Sequence, residues 1–306
     1  MSEPFAPGSI SLRAYPHDGL DPVAVLDEMR AQSALAAEHG FAGVMTSEHH
    51  GGFAGYLPNP LQLAGFLLDA MPRGWAAPCP LLLPLRPPAL VAEEVAWLAA
   101  RFPGRVGLGV AAGALPVDFE IMGTTMADLT ARFSRGLGFV AAALRGEATG
   151  ALAADPALAR CKEHPVPVLS AANSVTAAKR AARGGAGLLF DSLVPPERAR
   201  ALVDAYRSEG GANARVLVRR VWVGEPPRAE FDRQVDVYRG YAPPAAAQQW
   251  GSDELITGSG IRGRLHAALD AAGCTALNVR IHVPGVAPNA ARAQIERLGA
   301  ELNEPA

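Results

Sequence analysis

Lysine is nearly missing from this 306-residue chain: Lys162 and Lys179 are the only two, so 26 of the 28 basic residues are arginine. Against 30 acidic residues they give a formal net charge of −2. No global positive field exists to hold a polyanion, so a nucleic-acid partner is not expected. Cysteine is scarce too. Cys79, Cys161 and Cys274 lie far apart, are odd in number and form no C-x-x-C pair. That excludes a disulfide framework and the usual spacing of a structural zinc site, and a reducing, cytoplasmic setting is expected. No apolar run approaches the roughly 20 residues that cross a bilayer. Met1–Ile10 also lacks a basic region followed by an apolar stretch, so neither membrane insertion nor secretion is expected.

What the chain does contain is core material: 49% of it is hydrophobic and only 19% charged. A prior of about 150 residues per domain suggests two domains, but α/β barrels of roughly 250 residues fold as one. The order of elements decides between them. Short apolar runs alternate with longer stretches of helical period, the pattern of repeated βαβ units. Strands are expected at Ile10–Ala14, Phe41–Thr46, Trp75–Leu83, Arg105–Val110, Pro167–Ser170, Gly187–Phe190, Arg215–Val223 and Ala276–Val283. Helices are expected between and after them; the first is capped by Asp21 and opens at Pro22. Eight such pairs make a (β/α)8 TIM barrel forming a single domain over residues 1–306. Its least regular parts, Gly146–Pro165 and Pro226–Gly258, are excursions after strands four and seven.

In such a barrel the chemistry belongs at the C-terminal ends of the strands. The exit of strand two offers Ser47, Glu48, His49 and His50, the densest titratable cluster in the chain. A histidine beside a carboxylate can serve as general base, proton relay or metal ligand; the alternative is a solvated polar loop, and no third metal ligand has an obvious sequence partner. Strand four ends in Ala111, Ala112 and Gly113 after Gly107 and Gly109. These small residues either clear space for a flat ring or meet a packing need. A dinucleotide fingerprint is not expected, because Pro116-Val117-Asp118-Phe119-Glu120 interrupts where its helix would begin.

Strand five exits through Ala171, Ala172, Asn173 and Ser174 toward Thr176. This segment either only caps the next helix or also binds a phosphate there. Cys79-Pro80 puts a proline in a central strand, as a cis bond that bulges the barrel wall or as a trans bond at an edge. A reactive thiolate at Cys79 is not expected, since no basic neighbour in sequence would lower its pKa. Arg73, Arg86 and Arg105 are anion ligands or mere surface coating. Tyr15, Phe53, Tyr56, Leu115, Trp222 and His282 are candidate pocket-lining residues, and their character favours an apolar or aromatic ligand.

These blocks together resemble the luciferase-like flavin-dependent monooxygenase and oxidoreductase family, which includes bacterial luciferase and the F420-dependent enzymes. The resemblance is carried by Ala36-Ala37-Glu38-His39-Gly40-Phe41, Ser47-Glu48-His49-His50, Asn59-Pro60, Leu83-Pro84-Leu85-Arg86-Pro87-Pro88, Gly104-Arg105-Val106-Gly107-Leu108-Gly109 and Asp118-Phe119-Glu120-Ile121-Met122-Gly123. It implies a usually dimeric barrel with flavin at the mouth and His49 beside it as acid/base, flanked by Glu48 and His50. A cis peptide behind the flavin ring falls on Cys79-Pro80. Ala111 and Ala112 fall at the flavin, and Asn173, Ser174 and Thr176 in the phosphate segment. Bacterial luciferase offers an arginine to the flavin phosphate where this chain has Ala112. The implied cofactor is FMN, with F420 as the alternative, for which Lys179, Arg180 and Arg183 are the basic residues nearest the Asn173 segment. The implied reaction is oxygenation or reduction of a small molecule, with reduced cofactor coming from a flavin reductase or NAD(P)H. A catalytically inactive flavin-binding relative is the remaining alternative.

Overall fold

A computed structural model describes residues 3–53, 55–241 and 255–303. Ten strands share one sheet in the order β3-β2-β1-β10-β8-β7-β6-β5-β4, with β9 added beside β8. They are β1 (Ile10–Arg13), β2 (Gly43–Thr46), β3 (Trp75–Pro78), β4 (Leu81–Leu82), β5 (Leu108–Ala111), β6 (Val168–Ala171), β7 (Gly187–Phe190), β8 (Arg215–Val223), β9 (Leu255–Gly258) and β10 (Ala276–Arg280). Every strand pair is parallel. A bridge between Ala76 and Val106 joins β3 to the approach of β5 and completes the circuit. With β3 and β4 as two halves of one barrel strand and β9 as an addition, the wall has the eight strands expected of a (β/α)8 barrel.

The expected third strand is broken where Cys79-Pro80 adopts a cis peptide bond. This arrangement accommodates both prolines: Cys79 between them still donates its N–H to Thr46 O at 2.7 Å, so the wall keeps that ladder bond.

Helices α1 (Pro22–Glu38), α2 (Pro60–Ala70), α3 (Pro88–Arg101), α4 (Pro116–Ile121), α5 (Leu129–Ala142), α6 (Pro156–Arg160), α7 (Val175–Arg183), α8 (Pro196–Ser208), α9 (Arg228–Tyr241), α10 (Ile261–Ala272) and α11 (Pro288–Asn303) lie between and after the strands. Proline opens several of them, where its missing N–H costs nothing; Asp21 caps α1 by accepting from Val23 N and Ala24 N. Both segments read as irregular hold more structure than expected: Gly146–Pro165 contains α6, and Pro226–Gly258 contains α9 and β9; Pro116–Glu120, read as an interruption, forms most of α4. Alternation predicts these poorly, because α4 is short and β9 is a four-residue strand that pairs with β8 at the side of the barrel wall.

Apolar side chains form two layers and a small separate cluster of Trp222, Phe231, Val283, Val286 and Ala291. The larger fills the space between strands and helices; the smaller lies inside the barrel and holds Phe5, Met45, Trp75, Ala77, Cys79, Leu169, Leu189, Val216, Val218 and Ala276. Phe5 meets Trp75 edge to face at 5.1 Å and fills the N-terminal end. Glycine is required where this inner layer is tightest. A β-carbon on Gly109 would lie 2.2 Å from the Cys79 Sγ and 3.0 Å from its Cα. Gly109→Ala is therefore expected to cost about 1–3 kcal/mol by overpacking, seen as a lower urea midpoint at unchanged slope. An unaltered midpoint would show that Cys79 moves aside freely.

Candidate active site at the barrel mouth

The loop leaving β2 carries two separate polar pairs. His49 places Nδ1 2.9 Å from Asp118 Oδ2, and the backbone N–H of His50 donates to Asp118 Oδ1 at 2.9 Å. Asp118, in the first turn of α4, is fully buried. A carboxylate accepts, so the His49 Nδ1 donates to Asp118 and Nε2 is the ring nitrogen outside that bond. With 17% of its side chain exposed, His49 is held at Nδ1 by Asp118 and remains partly open to solvent. Phe53 and Tyr56 flank its ring at 4.7 and 4.6 Å.

Glu48 and His50 form the other pair and face inward. Glu48 Oε1 accepts from His50 Nε2 at 2.8 Å and from Arg86 Nη1 at 2.6 Å, while Oε2 accepts from Leu82 N at 2.6 Å. Glu48 is 1% exposed, so it ties the β2 loop to β4 and to Arg86. The three neighbours expected to act together thus divide, with His49 toward the mouth and Glu48 and His50 into the wall. Arg86 is an anion ligand, and its anion is Glu48. Arg73 and Arg105 instead bind the carbonyls of Ala37, Glu38, Gly74 and Met71.

Arg13 ends β1 inside the barrel and links four strands. Its Nε donates to Asn278 Oδ1 at 2.8 Å, and its Nη1 to Ser47 Oγ at 2.5 Å and Cys79 O at 2.9 Å. Burial pushes the Cys79 thiol up to about 12 despite the Arg13 charge, so the sulfur is a packing group and not a thiolate.

The remaining candidates line the same end. Ala111, Ala112 and Gly113 are half-buried and leave the β5 exit without large side chains; Ala112 packs partly on the outer core. At the exit of the adjacent strand β6, the Ser174 hydroxyl accepts from Ala177 N at 3.2 Å and caps α7, while Asn173, Ser174 and Thr176 are exposed. The first N–H groups of α7 have no acceptor within the helix. Arg198 reaches the Asn173 carbonyl at 2.9 Å. Beyond it lies Asp191, whose carboxyl is raised by burial against the lowering effects of Leu193 N–H, Arg219, Arg13 and Asn173. The groups that could hold a phosphorylated, flat cofactor are the short side chains at β5, the donors and positive helix end at α7, and Arg198 beside Asn173. Of the pocket candidates, Tyr15, Phe53, Tyr56 and His282 join in one chain of ring contacts reaching His49. Trp222 packs apart from them with Phe231, and Leu115 is buried.

Asp118, Arg13, Asn278 and Asp191 have no role in the sequence reading. Asp118 meets His49 from 69 positions away, a distance no motif spacing reports. Arg13 and Asn278 did leave a signal: each is a polar residue inside an apolar barrel strand.

Fold and site define a (β/α)8 barrel with an oriented histidine at the C-terminal ends of its strands. The luciferase-like monooxygenase family model matches residues 8–283, and the chain belongs to that family. An uncharacterized protein of Mycobacterium tuberculosis is 35% identical over 138 residues, covering 43% of this chain and 48% of that protein. The chain thus matches about half the length of this curated relative. Among solved structures, the oxygenating constituent of 3,6-diketocamphane monooxygenase from Pseudomonas putida, in complex with FMN, superposes with a TM-score of 0.77 at 16% identity, over 96% of this chain and 98% of that one. An F420-dependent secondary alcohol dehydrogenase gives 0.72 at 15% identity, over 99% and 100%. Both show the shared fold. Among the described residues no helix is long and apolar enough to cross a membrane, and no three metal-ligating side chains converge.

Proposed function

We propose that this chain is an FMN-dependent monooxygenase of a small aromatic or apolar compound, with His49 as the group that takes and returns the proton at the barrel mouth. The observation that carries this reading is the His49–Asp118 pair, which fixes one ring nitrogen and directs the other outward. Asp118 orients the imidazole and stabilises its protonated form, as a buried carboxylate does behind any histidine base. The short side chain of Ala111 admits the ring system, while Gly113 makes room for Phe119, whose ring a β-carbon there would meet at 2.9 Å; Asn173, Ser174 and Thr176 receive the phosphate at α7. Ala112 supplies no charge there, which leaves hydrogen bonds and the helix dipole as the main phosphate contacts. The bound flavin supplies electron transfer and dioxygen chemistry. Phe53, Tyr56 and Tyr15 keep water from the reacting edge of His49. A flavin reductase or NAD(P)H as the source of reducing equivalents, a homodimeric state and a cytoplasmic location belong to the same reading.

F420-dependent hydride transfer is the second reading, favoured by the likeness to the F420-dependent dehydrogenase. The basic residues available for an acidic cofactor tail weigh against it. Lys179 and Arg183 both pair with Glu209, and Arg180 lies over Phe133 at 4.9 Å. Titrating the purified protein with FMN, FAD and F420, oxidised and reduced, tests both by absorbance and fluorescence. Saturable, selective FMN binding is expected. Selective F420 binding would transfer the assignment to hydride transfer, and no binding even at millimolar cofactor would end the flavin reading. Tight FMN binding without any oxidase, reductase or oxygenase turnover would identify a catalytically inactive flavin-binding relative.

A further inference from the structure

A groove of about 420 Å³ lies between the loop that follows β4 and one face of α5, apart from the residues assigned to the barrel mouth. From α5 it takes Arg132, Arg135, Gly136 and Phe139, whose three- and four-residue spacing puts them on one stripe of the helix. Gly136 lets α5 come close to the loop: a β-carbon there would lie 3.2 Å from Leu83 Cδ2 and 3.3 Å from Pro88 Cγ. Pro84, Pro87 and Pro88 line the opposite side. Phe139 is 41% exposed, so an aromatic ring beside these prolines is left facing water. The volume falls within the roughly 300–1,000 Å³ of small-molecule sites.

Three of the lining residues are arginines and none is acidic. Arg86 already has its anion, since Nη1 donates to Glu48 Oε1 at 2.6 Å. The other two have none. Arg132 donates Nη1 to Thr124 Oγ1 at 2.9 Å and Nη2 to the Thr125 carbonyl, both neutral oxygens, and its Nε is without a partner among the described residues. Arg135 is exposed and makes no hydrogen bond, ion pair or ring contact among the described residues. Proline carries no N–H, so the loop side is poor in donors and the guanidiniums dominate the polar character of the groove. Helix α3, which opens at Pro88 without a side-chain cap, adds the positive end of its dipole.

We propose that this groove binds an aromatic carboxylate, with its ring against Phe139 and the prolines and its carboxylate on Arg135 and Arg132. A guanidinium presents a fork of N–H groups that matches the two oxygens of a carboxylate, and its flat face also stacks on an aromatic ring. An uncharged occupant would leave two positive charges unanswered, and a compact anion such as inorganic phosphate would leave Phe139 and the prolines uncovered. None of His49, Asp118, the β5 exit or the start of α7 lines the groove. Arg86 is the link between the two places, because it lines the groove and holds Glu48, which anchors the loop carrying His49. The binding does not depend on the flavin reading.

The test titrates the full chain, without flavin and at neutral pH, with 2-naphthoate in a calorimeter. Saturable binding of one equivalent is expected. The uncharged 2-naphthamide should bind about tenfold or more weakly, and Arg135→Gln should weaken naphthoate by a similar factor, the size of one lost charge-assisted hydrogen bond. Phe139→Ala should weaken both probes. Both side chains are exposed, so the variants are expected to fold, which circular dichroism checks. Equal affinity for the two probes, unchanged naphthoate binding in either variant, or no saturable binding, whether the groove is vacant or covered by a second copy of the chain, each overturns the proposal. Repeating the titration with FMN present separates the two sites. Naphthoate should bind beside FMN; displacement by FMN would put the probe in the barrel mouth and overturn the proposal. A protein that takes naphthoate but no flavin keeps this groove and loses the cofactor assignment, and the reverse result does the opposite.

Discussion

His49→Ala is expected to slow turnover by about 10²- to 10⁴-fold, the usual contribution of a positioned proton-transfer group, while leaving flavin affinity within a few-fold. The split follows from geometry. His49 presents Nε2 to the mouth and is held at Nδ1 by a carboxylate that touches nothing else at the reacting edge. The first N–H groups of α7, proposed above to receive the phosphate, follow β6, which is not a neighbour of β2 in the sheet, and are untouched by the change. Oxygen consumption with chemically reduced flavin gives the rate, and flavin fluorescence gives the affinity. A variant that consumes oxygen at the wild-type rate removes His49 from the chemistry; one that loses flavin and rate together makes it a binding residue.

Glu48→Ala is expected to act on stability. The carboxylate accepts from His50 Nε2, Leu82 N and Arg86 Nη1 with 1% of the residue exposed. Alanine would leave two buried donors and a guanidinium without their acceptor. Removing one partner of a buried pair costs about 3–5 kcal/mol, a large share of the roughly 5–15 kcal/mol that holds a protein of this kind together. Half-buried Arg86 can turn toward water, which places the loss at the lower end of that range. Urea denaturation should show a clearly lower midpoint, and Glu48→Gln, which keeps an acceptor and the volume, should recover part of it. A change below about 0.5 kcal/mol, the size of an ordinary surface substitution, would show that Glu48 holds nothing in place.

These two residues show why a dense motif is an incomplete guide. Glu48, His49 and His50 are adjacent in sequence and identical in their promise of acid/base chemistry, yet successive side chains leave an extended segment in opposite directions. His49 goes to the mouth, and Glu48 finds its partners at Leu82 and Arg86, in a loop and strand end formed dozens of residues later. The residue that orients His49 lies in Asp118-Phe119-Glu120, which carries no local mark of that role. Lys179, Arg180 and Arg183 make the opposite case: a basic group in sequence becomes two ion pairs to Glu209 and a stacking contact on Phe133 once the helices pack.

Local information determined the barrel and the position of its working end. Apolar period, capping by Asp21 and Ser174, and proline at helix starts depend on neighbours in the chain, so all eight barrel strands could be read directly, whereas the break of the third at Cys79-Pro80 could not. The pairing of His49 with Asp118, the Arg13 contacts that join β1, β2, β3 and β10, and the arginine-lined groove beside α5 were decided only by the closed tertiary structure. Barrel closure brings β1 beside β10, setting residues more than 260 positions apart within hydrogen-bond reach, as with Arg13 and Asn278. Burial then fixes which of their charges and protons persist, and neither the meeting nor the burial is written in the spacing of a single segment.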